Sequence, residues 1–308
     1  MPALDSDRFA AAAERLGGWL APTPQRSLPG SSCLELKLEM FQPTGSFKVR
    51  GYFAAALALA PEVRSRGLMT VSAGNAAVAC AYVAHRLGIP CRVLMVASAP
   101  AAKVQAVRAL GAATTLMPRE ELFAWMSLET WRQAPEHFIH PHLDLEFAAG
   151  VGTLGREIMD CSPGTRRIVV AVGGGGLASG LGAALKASHP DLELIGVQSD
   201  GYPLWPLVMA QGAEPELVPD TIADGTVAPY NAVMKERLKA LVDRWILVPE
   251  SHLRASILEL AWRAGVVAEG AGALPYAAAD QLDDGTPSVL VLSGGNIDRG
   301  LLARLLLS

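Results

Sequence analysis

The stretch Val169-Val170-Ala171-Val172-Gly173-Gly174-Gly175-Gly176-Leu177-Ala178-Ser179-Gly180 has the pattern of a buried strand, a glycine-rich turn and the start of a helix. Its apolar run is continuous, which is typical of a parallel strand covered on both faces. Glycines let backbone amides approach a ligand closely, and the amino terminus of a helix carries a partial positive charge. The stretch therefore predicts an anion site large enough for a phosphate.

Short β-rich runs alternate with helical patterns on both sides of this stretch. The predicted strands are residues 68–72, 92–96, 114–117, 168–172, 194–198 and 289–292, and the clearest helices are residues 76–87, 101–110 and 176–188. This alternation predicts an α/β protein with a parallel sheet covered by helices. Two polar, turn-rich stretches bracket three strand-helix units, which predicts a small domain at residues 61–146 and a large domain at 1–60 plus 147–308.

Composition excludes several classes of function. The 308 residues are 51% hydrophobic, but no apolar stretch approaches the roughly 20 residues that cross a bilayer. Lys and Arg total 26 against 30 Asp and Glu, so the net charge of -4 offers no reason to bind nucleic acid. Residues 1–8 lack the pattern of a secretion signal. We expect a soluble, cytoplasmic protein that binds neither nucleic acid nor membrane.

The four cysteines are scattered without a Cys-x-x-Cys pair, which favours reduced thiols over a zinc site. The segment His137-Phe138-Ile139-His140-Pro141-His142 holds three histidines, but no acidic or thiol partner stands at ligand spacing. We therefore expect that segment to be a surface loop. No metal site is predicted.

A second motif, Gly45-Ser46-Phe47-Lys48-Val49-Arg50-Gly51, sets one lysine between a hydroxyl, an aromatic ring and glycines. A primary amine attacks a carbonyl only when it is deprotonated, and burial beside an aromatic ring lowers the pKa of lysine. The motif is thus a candidate Schiff-base site. The alternative is that Lys48 and Arg50 are solvated charges at the start of a helix.

Two further loops follow predicted strands. In Ser72-Ala73-Gly74-Asn75-Ala76 a hydroxyl and several amides converge and could hold a carboxylate, although Ser72 or Asn75 could equally cap the next helix. Leu292-Ser293-Gly294-Gly295-Asn296 places another hydroxyl at a strand end, where glycines let a ligand approach.

A dinucleotide site is the main alternative for the glycine-rich turn. Gly173, Gly175 and Ala178 satisfy the Gly-x-Gly-x-x-Gly/Ala spacing, and Asp200 follows the next strand, as in an NAD-dependent oxidoreductase. That alternative does not explain Lys48, and it places the fingerprint in the middle of the chain.

Together the motifs between Phe41 and Asp298 resemble those of the fold-type-II pyridoxal-phosphate enzymes, and among them the serine/threonine dehydratase (threonine ammonia-lyase) branch. The resemblance implies a tryptophan synthase β-like fold of two open, mostly parallel twisted sheets flanked by helices, and a homodimer. It implies that Lys48 is the catalytic residue and forms the Schiff base with pyridoxal 5'-phosphate. The implied cofactor-binding residues are Phe47, Lys48, Asn75, Gly173, Gly174, Gly175, Gly176, Leu177 and Ser293. The implied substrate-binding residues are Ser72, Ala73, Gly74, Asn75, Ala76 and Gly225.

The resemblance also implies a reaction. Ser293 would face the pyridine nitrogen, where a neutral hydroxyl makes the cofactor a weaker electron sink and favours β-elimination. Lys48 would take the α-proton and the cofactor phosphate would protonate the departing hydroxyl, which gives a 2-oxo acid and ammonia. The expected substrates are L-threonine, L-serine or a related β-hydroxy amino acid. Another β-elimination or replacement enzyme, or a racemase, is the alternative within the fold.

Three positions matter for that comparison. Ala76 replaces the usual histidine, and Ala73 stands where racemases place a second serine, so racemisation is not expected. Gln198 stands where several relatives have a metal-binding glutamate. Glu269 stands near the position of the cofactor ring in relatives, but it could equally be a favourable carboxylate at a helix start.

Overall fold

The computed structural model describes residues 4–282 and 284–307, so residues 1–3 of the amino-terminal segment lie outside the description. The described chain forms ten strands: β1 (Gln25–Ser27), β2 (Leu34–Leu38), β3 (Leu68–Val71), β4 (Cys91–Val96), β5 (Ala113–Met117), β6 (His137–Phe138), β7 (Arg167–Ala171), β8 (Glu193–Ser199), β9 (Arg244–Val248) and β10 (Ser288–Leu292).

The α-helices of the same described residues are α1 (Ser6–Leu16), α2 (Lys48–Ala58), α3 (Pro61–Arg64), α4 (Asn75–Leu87), α5 (Ala101–Ala109), α6 (Arg119–Ser127), α7 (Leu145–Cys161), α8 (Gly176–Ser188), α9 (Leu204–Gln211), α10 (Ala232–Leu241), α11 (Glu250–Arg263), α12 (Gly270–Ala277) and α13 (Arg299–Leu307). Short 3-10 turns occur at Glu39–Phe41, Thr130–Gln133, Asp224–Thr226 and Ala279–Gln281. Within the described ranges, no helix is both long and apolar enough to cross a bilayer.

The strands form two sheets. The larger has the order β1-β2-β10-β7-β8-β9, and the smaller has the order β5-β4-β3-β6. β1 and β2 are antiparallel, whereas all other neighbouring strands are parallel. The predicted α/β class with two mostly parallel sheets is confirmed. The smaller sheet falls inside residues 61–146, but the domain boundaries themselves stay a prediction.

All six predicted strands and all three predicted helices form, with ends shifted by no more than one residue. The strands β1, β2, β6 and β9 were not predicted from the sequence. β2 reads Leu-Glu-Leu-Lys-Leu, and its Lys37 is fully buried because Nζ pairs with Glu157 at 2.8 Å. The charged residue in this interior strand is therefore neutralised by a partner 120 residues away in the sequence.

One apolar core reaches both sheets. It includes Val93 from the smaller sheet and Val170 from the larger, together with Tyr52 on α2 and Phe147 on α7. The Tyr52 and Phe147 rings meet edge to face, with centroids 5.3 Å apart. A side chain at Gly150 would lie 2.5 Å from Arg50 O, so glycine allows α7 to approach α2 closely. This packing sets the position of α2, the helix that begins at Lys48.

Candidate active site

The loop before α2 is held against the end of β10. The backbone N–H of Phe47 donates to Ser293 O at 3.0 Å, and Ser46 forms an isolated antiparallel bridge with Gly294. Ser293 is 5% exposed. The two motifs that carry Lys48 and Ser293 are far apart along the chain, yet these backbone contacts make them neighbours in the fold.

The amine of Lys48 faces aromatic rings. Its Nζ lies 4.9 Å from the Phe47 ring centroid and 5.7 Å from that of Phe147, and it has no hydrogen-bond or ion-pair partner in the described chain. Burial lowers the pKa of Lys48 to about 8, although the negative charge of Glu269 opposes this shift. The alternative of a solvated surface lysine is wrong, and the structure leaves a nucleophilic amine without a protein partner.

Arg50 is not a solvated charge either, since it is 2% exposed. Its guanidinium donates to the buried carboxylate of Glu39 at 2.7 and 2.8 Å and to Glu157 at 2.6 Å. A guanidinium held by two carboxylates is fixed in both position and direction. Arg50 therefore anchors the first turn of α2, two residues from Lys48.

The glycine loop (residues 173–176) joins β7 to α8. Gly175 has φ +83°, and α8 starts without a side-chain cap. Side chains would be blocked along the loop, because a Cβ would meet Gly225 O at Gly173, the His142 ring at Gly174 and Met234 Sδ at Gly175. Packing thus requires these glycines, and the uncapped amides of the first turn are available to an anion.

Gln198 and Trp205 hold the glycine loop from behind. Trp205 Nε1 donates to Gly173 O at 2.5 Å, and Gln198 Nε2 donates to Val172 O at 2.7 Å. Gln198 Oε1 also accepts from the N–H of Trp205 at 2.8 Å. Both polar atoms of the Gln198 side chain are therefore engaged in hydrogen bonds that support the glycine loop. From the sequence, Gln198 was noted only as the neutral residue that replaces the metal-binding glutamate of several relatives.

The serine loop (residues 72–76) joins β3 to α4. Ser72 Oγ accepts from the N–H of Gly74 at 3.0 Å, and Gly74 stands at the N-cap of α4. Neither Ser72 nor Asn75 caps the helix with its side chain, so the cap alternative is wrong. A second uncapped helix start consequently lies at the carboxyl end of a parallel strand.

The side chain of Asn75 contacts two loop residues that lie beside the larger sheet. Its Nδ2 donates to Glu269 Oε1 at 2.6 Å, and its Oδ1 accepts from Asn296 Nδ2 at 2.8 Å. Glu269 is the N-cap of α12 and is 6% exposed; burial and the charge of Asp224 raise its pKa to about 7. Glu269 therefore stands at a helix start, as one of its two interpretations expects, and its position near the cofactor ring stays a prediction. The sequence analysis gave Asn296 no role.

The expectation of a surface loop at residues 137–142 is wrong. His137–Phe138 is strand β6, which pairs with β3, and the following residues turn inward. Nδ1 of His140 accepts from the backbone N–H groups of His142 and Leu143, both at 3.2 Å. The His142 ring lies against Gly174, and its Nδ1 is buried without a partner. The structure therefore adds a histidine to the glycine loop.

Gly225, the remaining predicted substrate-binding residue, lies next to the glycine loop. Gly225 belongs to the turn at Asp224–Thr226, and its carbonyl oxygen is the atom that a Cβ at Gly173 would meet. Asp224 pairs with Lys103 of α5 at 2.9 Å. The serine loop, the glycine loop and the Ser293 segment follow the carboxyl ends of the parallel strands β3, β7 and β10, where ligands bind in open α/β sheets. Leu177 and Ala76 are buried behind their loops.

The site fits a cofactor that has both a carbonyl and an anionic group. Lys48 offers an amine without a partner, the glycine loop offers amides that no side chain caps, and His142 Nδ1 is a buried polar atom without a partner. A lysine amine of lowered pKa and an uncapped, glycine-rich helix start are the two features that pyridoxal-phosphate-dependent enzymes combine.

The comparisons agree. The model of the family "Pyridoxal-phosphate dependent enzyme" matches residues 18–294, so the chain belongs to that family and its cofactor is pyridoxal 5'-phosphate. It is 39% identical over 277 residues to an L-threonine ammonia-lyase of Thermotoga maritima, covering 88% of this chain and 69% of that relative. Within the family it belongs to the serine/threonine dehydratase branch.

Solved structures show the same architecture. Maize serine racemase superposes with a TM-score of 0.90 at 29% identity, covering 98% of this chain and 97% of that chain. The processed form of threonine deaminase isoform 2 from Solanum lycopersicum superposes with a TM-score of 0.86 at 27% identity, covering 98% of this chain and 93% of that chain. The predicted fold type is confirmed, and the NAD-dependent alternative is wrong.

Proposed function

We propose that the protein is a dehydratase that removes the β-hydroxyl and amino groups of L-threonine, L-serine or a related β-hydroxy amino acid, giving a 2-oxo acid and ammonia. The observation that carries this proposal is the Lys48 amine, whose pKa is lowered to about 8 beside a cradle for an anion. Similarity to an L-threonine ammonia-lyase and a threonine deaminase supports L-threonine as the first substrate to test.

Pyridoxal phosphate, when bound, supplies a carbonyl for covalent attachment and an electron sink for the α-carbon. Lys48 is the proposed attachment residue and the base that accepts the α-proton. An amine of pKa about 8 is neutral in roughly a tenth of molecules at pH 7, compared with far fewer for an ordinary lysine. A base is most effective when its pKa lies near the working pH.

The other proposed roles follow from the loops. The amides of Gly173, Gly174, Gly175, Gly176 and Leu177 hold the phosphate, and Phe47 packs beside the ring. Asn75 hydrogen-bonds the ring hydroxyl, while residues 72–76 and Gly225 bind the substrate carboxylate through a hydroxyl and backbone amides. Both sets of amides lie at uncapped helix starts, which supports these assignments.

Ser293 is proposed to face the ring nitrogen. Its hydroxyl is neutral and cannot enforce a charged nitrogen, so prompt loss of the β-hydroxyl is favoured over a long-lived carbanion. Racemisation has a specific observation in its favour, namely the close superposition on maize serine racemase. Against it stands Ala73, whose methyl group cannot donate a proton to the face opposite Lys48.

The test is 2-oxo acid release from L-threonine, L-serine and 3-hydroxyaspartate, with chiral chromatography of the remaining amino acid. We expect release from at least one substrate, and loss of both release and the yellow cofactor absorbance that borohydride removes in Lys48→Ala. Racemisation without 2-oxo acid release would contradict the dehydratase proposal and favour the racemase.

We also propose a homodimer in the cytoplasm. The family resemblance supports the dimer, and the free thiols of Cys80, Cys91 and Cys161 support a reducing compartment. Sedimentation equilibrium of the full chain tests the assembly, and a monomer at micromolar concentration would contradict it. The domain boundaries at residues 61 and 146 are likewise proposed, and limited proteolysis of the apoenzyme tests them.

A further inference from the structure

Asn296 lies where the loop before α2 meets the serine loop. Its Nδ2 donates to Thr44 O, in the loop before α2, and to Asn75 Oδ1, in the serine loop, both at 2.8 Å. An amide NH2 group has two hydrogens, so these two bonds use both of them. The nitrogen of the Asn296 amide is therefore fully engaged by the two loops.

Two glycines keep the Asn296 side chain in this place. Gly45 has φ +71°, and a Cβ at that position would collide with the amide group of Asn296. The backbone N–H of Gly295 donates to Gly45 O at 2.9 Å, which holds the Asn296 segment against the loop before α2. Glycine at position 45 thus leaves the room that the Asn296 amide occupies.

The hydrogen bonds that begin at Thr44 O can run in one direction only. A backbone carbonyl accepts and cannot donate, so Thr44 O faces the NH2 end of the Asn296 amide. The same NH2 group faces Asn75 Oδ1, which leaves the NH2 end of Asn75 on the other side, where it donates to Glu269 Oε1 at 2.6 Å. The orientation of the Asn75 amide therefore follows from Thr44 O through Asn296.

The Asn75 amide keeps one N–H for a ligand. One hydrogen of its Nδ2 goes to Glu269, and the second has no acceptor in the described part of the chain. Glu269 is itself held by Asn296, because a hydrogen bond from the Asn296 backbone opposes the burial that raises the pKa of this carboxyl to about 7. Asn296 thus contacts both partners of the bond between Asn75 and Glu269.

We propose that Asn296 is a positioning residue that fixes the direction of the Asn75 amide, so that Asn75 presents a donor to the ring hydroxyl of the cofactor. Asn296 itself does not touch the cofactor. A donor stabilises an ionised ring oxygen, whereas a reversed amide would place a carbonyl oxygen beside it. This role of Asn296 rests on the ring contact that the proposed function assigns to Asn75.

The experiment measures the affinity of the apoenzyme for two ligands by equilibrium dialysis. They are pyridoxal phosphate and 3-deoxypyridoxal phosphate, which lacks the ring hydroxyl, and the ratio of their dissociation constants is the ligand preference. A charge placed near the site affects both ligands alike, because both carry the phosphate. Asn75→Ala gives the preference that remains without the ring contact, and we expect it to be roughly tenfold smaller than that of wild type.

Two variants of Asn296 separate direction from packing. Asn296→Asp keeps the shape of the side chain but offers only acceptors, so the Asn75 amide should reverse and the preference should fall to that of Asn75→Ala. Asn296→Ala removes the donor without reversing the Asn75 amide, so its preference should lie between those of wild type and Asn75→Ala.

The visible absorption of the bound cofactor gives a readout that does not depend on affinity. A donor favours the ionised ring oxygen, so loss of the donor should move absorbance from the visible into the near-ultraviolet. We expect this change in Asn75→Ala and in Asn296→Asp. Gln211→Glu is the matched control, because it converts an exposed amide at the end of α9 to a carboxylate, and it should change neither readout.

Two results would overturn the positioning role: a wild-type preference and spectrum in Asn296→Asp, or equal changes in Gln211→Glu. If near-ultraviolet circular dichroism shows that Asn296→Asp does not fold, a wild-type preference in Asn296→Ala overturns the role instead. A wild type that has the same preference as Asn75→Ala contradicts the proposed ring contact, and the role of Asn296 with it. A wild type that prefers pyridoxal phosphate but releases no 2-oxo acid contradicts only the proposed reaction.

Discussion

Nδ2 of Asn75 donates a 2.6 Å hydrogen bond to Oε1 of Glu269. The bond joins the first residue of α4, beside the smaller sheet, to the residue that precedes α12, beside the larger sheet. Asn296 extends the connection by donating to Asn75 Oδ1 and to Thr44 O, both at 2.8 Å. The two halves of the cleft are therefore linked through a carboxylate whose pKa is raised to about 7.

Glu269→Gln should stabilise the apoenzyme in a pH-dependent way. The fold raises the pKa of Glu269 from 4.5 to about 7, so burial of the charged form costs about 3 kcal/mol above pH 7 and nothing below about pH 4.5. Urea unfolding should give a variant that is more stable than wild type at pH 8, by up to that amount, with the difference vanishing near pH 4.5. A pH-independent difference would contradict the assignment.

Asn75→Ala should weaken cofactor binding by roughly tenfold, because the ring contact proposed for Asn75 would be lost and the buried carboxylate of Glu269 loses its donor. The pKa of Glu269 should rise further, since the Asn75 hydrogen bond lowers it. Dialysis and the pH titration of apoenzyme stability measure the two effects. Asn296→Ala is the comparison, and it should leave Glu269 nearer its wild-type pKa because the bond from Asn75 remains.

Gly173→Ala should destabilise the protein by about 1 to 3 kcal/mol and weaken cofactor binding. A Cβ at this position would lie 2.8 Å from both Gly225 O and Thr226 Cα, and backbone atoms cannot rotate away. Thermal unfolding of the apoenzyme and dialysis measure both losses. Gly164→Ala is the matched control, since nothing lies within 4 Å of its Cβ; equal effects in the two variants would contradict the packing argument.

Arg50→Met should cost about 3 to 5 kcal/mol of unfolding free energy, because it leaves Glu39 charged and fully buried without its partner. Urea unfolding at pH 7 measures this loss. Arg156→Met breaks the exposed pair with Asp160 and should cost less than about 0.5 kcal/mol. Similar values for the two variants would show that the buried network is not needed to anchor α2.

Lys48 should be more reactive than an ordinary exposed lysine of the apoenzyme near neutral pH. Its pKa is lowered to about 8, so its reactivity should rise through a midpoint near pH 8 and level off above it. Competitive labelling with a trace amount of acetic anhydride, followed by peptide mass spectrometry, measures the midpoint. Exposed Lys239 is the internal reference, and a midpoint for Lys48 no lower than that of the reference would contradict its burial.

Much of the fold was predictable because its signals are local. Continuous apolar strands such as β7 and β10, and helices such as α8, need only short-range pattern and propensity to be recognised. The edge strands β1, β6 and β9 were not predictable in the same way. β9 pairs on one side with β8 alone, and its residues Arg244 and Leu247 carry no clear periodic pattern.

The fold class, the candidate lysine and the glycine loop could be recognised from the sequence by itself. Each depends on a short run of adjacent residues that favours one backbone conformation. Only the tertiary structure decided that Asn75 meets Glu269, 194 residues away, that Gln198 braces the glycine loop, and that His142 lies inside the site instead of on a surface loop. Those contacts depend on which strand ends lie next to each other in the fold. The strand order of the two sheets and their packing against α2 and α7 determine this, and neither can be read from short stretches of sequence.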